Sequence, residues 1–256
     1  MNFKIYHTNF LLLFYFIALC LVSKAQDFDS LYQKGIQLEL SLNEKLALSK
    51  FKEAQKIQPL NLPSLYKCSE LCNRIGARES DPVIKEHYFN SALEYAKIAY
   101  AHFPQSDDAN VAMSMALGRI ALTKSGREKI VTVNEIKSYA EKAIKINPNN
   151  FKAWHIIGKW HYEVSSLNFM EQLAVKYFYG GLPESSFEES IKAYENAKSI
   201  NPNFCLNYLE LAKAYKKMNN MEKAIFNLKK ISAIPNYNED DNRIKKEALL
   251  LLKKWD

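Results

Sequence analysis

The stretch FKAWHIIGKWHYEVSS, Phe151 to Ser166, holds the side chains best suited to chemistry: His155, His161 and Glu163. Such a set could bind a divalent metal or relay protons, and either task needs the groups on one face. Helix neighbours three or four residues apart share a face. His155 and His161 stand six apart, which at about 100° per residue turns one away from the other. No H-E-x-x-H pattern is present, and no cysteine pair suited to zinc accompanies it. Cys68 and Cys72 do share a helix face, where a buried cysteine acts as a small hydrophobe. With Cys205 they form an odd set beyond residue 25, which argues against a disulfide framework. No Ser–His–Asp arrangement, phosphate-binding loop or paired carboxylates completes a catalytic centre. The histidines therefore read as packing residues and the chain as a non-enzyme, with no metal and no cofactor expected.

The elements that position these residues recur along the chain. AQKIQP ends at Pro59, AYAHFP at Pro104, AIKINP at Pro148, AKSINP at Pro202 and ISAIP at Pro235. Each closes an amphipathic stretch, and proline just past a helix stops it because it lacks an amide donor and restricts the residue before it. The tetratricopeptide pattern, about 34 residues forming two antiparallel helices, fits these stops. Its eighth position, where helices approach closely, falls on Gly35, Ser69, Ser114, Gly158 and Ala212, all small. A small residue of the second helix falls on Ala54, Ala99, Ala143 and Ala197, with Ile231 in the last unit. The fourth position takes Leu31, Leu65, Asn110, Trp154 and Tyr208, of which Asn110 is a misfit. His161 stands where an aromatic usually packs. Most units carry insertions. In the largest, Phe169 to Phe178 reads as an extra helix ended by Gly180-Gly181, with Ser185 or Ser186 capping the next helix. NEDDNRIKKEALLLLKKW then reads as a terminal helix, acidic at its start and basic at its end, as the helix dipole favours. The fold class is all-α: a tetratricopeptide-like helical-hairpin solenoid of about five repeats with insertions, closed by a C-terminal capping helix.

Composition agrees, since seven glycines and eight prolines are few for a turn-rich sheet protein. Lys4, the apolar run FLLLFYFIALCLV and Ser23-Lys24-Ala25 together read as a signal peptide over residues 1–25. The run is shorter than the roughly 20 residues a spanning helix needs. The expectation is an exported, extracytoplasmic protein, periplasmic or secreted, with an N-terminal membrane anchor as the alternative. The net charge is +7. Lysines alternate with acids and no recognition motif accompanies them, so nucleic acid is not an expected partner. An anionic lipid surface or an acidic partner fits better.

The segments EKAIKINPNN, AWHIIGKWHYEVSSLNFMEQLAVKYFYGGLPESSFEESIKAYENAKSINPNF, LAKAYKKMNNMEKAIFNLKKI and NEDDNRIKKEALLLL resemble the regulator of microtubule dynamics proteins. The most specific part is the insertion with its aromatic-Gly-x-x-Pro turn, around Phe178, Gly181, Pro183, Ser185 and Ser186. The resemblance covers residues 136–256, while residues 26–135 match only as divergent repeats. It implies a helical domain without catalysis, associated with membranes, lipid or protein partners and microtubules. Two functions are expected. In one, a concave scaffold binds a protein or peptide partner through first-helix residues such as Asn110, Lys152, His155, Lys159, Asn207 and Lys213. In the other, a lipid or other hydrophobic ligand lies in a cleft near residues 168–180, lined by Met170, Leu173, Tyr177 and Phe178.

Overall fold

The computed structural model describes residues 25–255, and among these there are helices and no strand. Helix α1 runs through residues 25–40. It is followed by α2 (Glu44–Ile57), α3 (Leu62–Arg78), α4 (Pro82–His102), α5 (Asp107–Ile120), α6 (Gly126–Ile146) and α7 (Phe151–Ser165). Then come α8 (Phe169–Tyr179), α9 (Phe187–Ile200), α10 (Cys205–Lys217), α11 (Met221–Ile231) and α12 (Asp241–Trp255). The hairpins are α1/α2, packed through Tyr32 and Gly35 on Phe51, then α3/α4, α5/α6, α7/α9 and α10/α11, stacked in order, with α12 closing the array against α10 and α11. The chain is an all-α, tetratricopeptide-like solenoid.

The stops and starts follow local chemistry. Each of α2, α4, α6 and α9 ends two residues before its proline. Asn61, Asp81, Ser106, Asn150, Ser186 and Asn220 each cap the following helix through a side-chain oxygen. Such a cap contributes about 1 kcal/mol. Two of the insertions are absorbed as helix and not as loop. Pro82 opens α4 behind the Asp81 cap, and both α4 and α6 reach 21 residues.

Close approach at the eighth position is visible in atoms. A Cβ on Gly35 would meet the Phe51 ring at 2.7 Å, and one on Gly158 would meet the Tyr194 ring at 2.6 Å. Where serine stands instead, its hydroxyl donates to a second-helix carbonyl: Ser69 to Ala92 and Ser114 to Ile136. Phe51, Tyr194, Leu65, Leu71 and Leu211 are fully buried. Each such side chain contributes roughly 1.5–3 kcal/mol by leaving water.

Candidate functional site: a charged inner groove

The first helices of successive hairpins, α3, α5, α7 and α10, lie side by side and form the inner face. Tetratricopeptide geometry leaves some of their positions facing the groove, and here these carry charge. On α3, Lys67 donates to Glu39 at 2.8 Å and Arg74 donates to the same carboxylate at 2.5 Å. Lys152, in the first turn of α7, reaches past α5 to α3. Its Nζ donates to Glu70 at 2.5 Å and to the Tyr66 hydroxyl at 2.7 Å, and lies 4.9 Å from the Tyr66 ring centre. Further along, Glu210 of α10 accepts from Lys159 at 2.7 Å and Lys213 at 3.0 Å. Lys213 continues to Glu247 of α12 at 2.8 Å, and Lys159 to Glu163 at 2.8 Å.

These pairs hold their charge against burial. Burial pushes the Glu70 carboxyl up, but Lys152, Arg74 and Lys67 outweigh it and hold the group well below the usual carboxylate range. Glu210 behaves alike: burial raises it, and Lys159 and Lys213 bring it below its ordinary value. Burial lowers the ammonium of Lys67, yet Glu70 and Glu39 leave it raised. The Tyr66 hydroxyl is raised by burial, with Glu70 adding to the effect. Glu70 and Glu210 thus stay ionised in spite of burial because the cations beside them replace the water they lose.

The expected groove residues divide. Lys152, Lys159 and Lys213 lie on the ladder. Asn110 and Asn207 were expected as exposed groove positions, but both are fully buried. The Asn110 amide donates back to the carbonyls of Pro104 and Ser106, at 3.1 and 2.6 Å. Trp154 does the same through its indole N–H, 2.8 Å from the Pro148 carbonyl. An N–H donor at the fourth position thus ties the helix start to the preceding proline turn, which explains the Asn110 misfit. Asn207 donates to the Tyr194 carbonyl at 2.8 Å and pairs through Oδ1 with His155 Nδ1 at 3.0 Å.

His155 packs against the Phe204 and Tyr194 rings, at 4.9 and 5.3 Å between centres. Burial lowers its pKa, and the Asn207 bond only partly opposes this. His161 packs edge-on against Trp160, its Nδ1 is buried without a partner, and burial lowers its pKa too, with Lys137 adding to the effect. Glu163 is committed to Lys159. Among the described residues no group of three or more His, Cys, Asp or Glu could hold a metal ion. Cys68, Cys72 and Cys205 are free, buried thiols. Burial pushes Cys68 up to about 12 and Cys72 up to about 11, beyond the range of a reactive thiolate.

Met170, Leu173, Tyr177 and Phe178 fall together on α8, and all four are exposed. No residue of α8 is buried, and Tyr177 is 85% exposed. The helix is held by its ends: Asn168 and Glu171 form a reciprocal capping box, and Gly180 closes it at φ 80°. Its Tyr179 hydroxyl lies close to Gly126, at the start of α6. Sequence reasoning does not single out Glu70, Glu210, Glu39 and Arg74, although Glu70 and Glu210 each share a helix face with a lysine they pair with. Lys67 and Glu70, and Glu210 and Lys213, stand three apart, a spacing that flags each local pair.

Fold and side-chain arrangement together define a tetratricopeptide-like helical protein. The chain belongs to the family described as regulator of microtubule dynamics protein 1-3, whose profile matches residues 25–256. Regulator of microtubule dynamics protein 1 from Bos taurus is 30% identical over 88% of this chain and 69% of its own length. The Mus musculus protein of the same name is 32% identical over 63% of this chain, and the match spans 53% of that relative. The chain thus spans only part of these relatives. Among solved structures, a thermophilic TPR protein of Thermus thermophilus superposes with a TM-score of 0.64 at 17% identity, covering 87% of this chain and 99% of that one. Pseudomonas aeruginosa pilF superposes at 0.52 with 12% identity, covering 91% of this chain and 93% of that one. Both likenesses concern the fold.

Membership corrects the expectation of an exported protein, periplasmic or secreted. The matching relatives are eukaryotic proteins named for microtubules, which are polymers of the cell interior. A basic start, an apolar run and small residues make up a composition, and composition does not report a destination. That run lies outside the described residues. Among those described, no helix is long and apolar enough to cross a membrane.

Proposed function

We propose that the chain is a non-catalytic helical-repeat scaffold that holds a protein or peptide partner along its inner groove. The supporting observation is the ion-pair ladder. Lys152, Lys159 and Lys213 are fixed by the buried carboxylates Glu70 and Glu210, yet keep part of their surface in solvent. Cations held in place lose little side-chain freedom when a second carboxylate arrives, which favours acidic side chains of an extended partner. The relatives are named for microtubule dynamics, so co-sedimentation with polymerised tubulin is the first partner test. The groove is tested with a photo-crosslinking residue at Glu163, one turn from Lys159 on α7, compared with one at exposed Lys192 on the outer helix α9. The expected result is one partner captured at the groove, not on α9, and lost in a Lys159→Ala, Lys213→Ala variant. Equal capture at both positions would overturn the reading.

A second reading rests on α8. An 11-residue helix bearing Phe169, Met170, Tyr177 and Phe178, with none of its residues buried, exposes more apolar surface than a free helix needs. A lipid or other hydrophobic ligand would cover it. Extraction of the purified protein followed by mass spectrometry should then find lipid, and less of it after Phe178→Ala.

A further inference from the structure

The two ends of the described solenoid touch. Glu44 opens α2, and Glu239 lies 195 residues later, just before α12, yet the pair exchange two hydrogen bonds. The Glu44 amide donates to Glu239 Oε1 at 2.7 Å, and the Glu239 amide donates back to Glu44 Oε1 at 3.3 Å. Asn43, the residue placed to cap α2, makes no side-chain cap bond. The far end of the chain does that work through Glu239.

Arg78, the last residue of α3, binds both ends. It stands 2.6 Å from Glu44, 3.1 Å from Glu239 and 3.0 Å from Asp240. Arg74 adds a contact of 3.3 Å to Glu44. The Glu44 side chain is fully buried. A carboxylate is tolerated there only because cations and backbone donors replace the water it loses. Stacked repeats are stabilised by their nearest neighbours and need no contact between ends. This contact is therefore an addition to the repeat plan, and it is built from charged side chains and backbone amides.

We propose that Glu44, Arg78, Glu239 and Asp240 form a clasp that holds the superhelix shut and gates its inner groove. Closed, the clasp joins the first repeats to the start of α12 and fixes the width of the groove that Lys152 and Lys159 line. Open, it frees Arg78 at the groove rim and lets the repeats spread through their neighbour contacts. Because the tie is ionic and not apolar, carboxylates on an arriving segment can take Arg78 from Glu239 and Asp240.

The test uses the full chain with nitroxide labels on Leu46→Cys and Leu249→Cys, two side chains each 52% exposed on either side of the clasp. Cys68, Cys72 and Cys205 are buried and stay unlabelled, and Cys20, outside the described residues, is replaced by serine in every sample. Pulsed electron resonance should give one narrow distance for the labelled parent and a longer, broader one for Glu239→Ala, Asp240→Ala. Arg78→Ala should match that variant, and Arg78→Lys should recover part of the narrow population. The Glu44 amide, released from its cap, should exchange with solvent about tenfold faster or more in the double variant. Should Arg78→Ala not fold, the Glu239, Asp240 variant decides, since neither side chain belongs to a helix core. A distance distribution unchanged in that variant, or unchanged Glu44 exchange, would overturn the clasp.

Discussion

Gly158 and His161 sit three residues apart on α7 and answer substitution in opposite ways. Alanine at Gly158 gains helix propensity of about 1 kcal/mol but drives a Cβ into the buried Tyr194 ring at 2.6 Å. Overpacking of that kind costs about 1–3 kcal/mol, so Gly158→Ala should lower the thermal midpoint measured by circular dichroism. His161→Phe removes a buried, unpartnered ring nitrogen. It should leave the midpoint unchanged or raise it, by up to about 1 kcal/mol in stability. His155 adds a pH dependence. Its folded pKa lies below the unfolded value of about 6.5, so the unfolded chain binds the proton more readily. Its contribution is complete above that value and declines as pH falls through it. His155→Gln should flatten the stability profile near pH 6.

At the scale of the element, α8 and the first helices differ in how they are held. The first helices are fixed by burial, and α8 by a capping box and a left-handed glycine. Tyr177→Ala and Phe178→Ala should therefore shift stability by less than about 0.5 kcal/mol in urea melts, because neither side chain is buried. A larger loss would mean that α8 is packed in solution. The helix is legible in sequence from Asn168, Glu171 and the Gly180-Gly181 pair, since caps are local chemistry. Its exposure is not, because an apolar run has the same composition whether or not a neighbour covers it.

For the whole molecule, the ladder and clasp make stability a function of charge. Glu70 and Glu210 are held below the ordinary carboxylate value of about 4.3. Their contribution is complete above that pH and is lost as pH falls towards their lower folded values. Acid unfolding should therefore begin below about pH 4 and shift to higher pH in Lys152→Met, which removes the cation Glu70 depends on most. The same variant at neutral pH should cost about 2 kcal/mol, since it leaves a buried carboxylate with one cation fewer.

Repeat period, helix ends and the small residues of close approach are written in short-range patterns: a proline after each turn of alanines, a capping side chain, a glycine where Phe51 or Tyr194 must fit. Such features depend on residues a few positions apart, so the order of letters was enough to give the solenoid. Lys152, Lys159 and Lys213 can be picked out in sequence as first-helix residues, since the repeat register places them on α7 and α10. Their partners cannot. Lys152 meets Glu70 across 82 residues and Glu44 meets Glu239 across 195. Both meetings depend on how much each hairpin rotates against the next. Small rotations, summed over the repeats, decide which distant charges touch, and that sum exists only in the packed molecule.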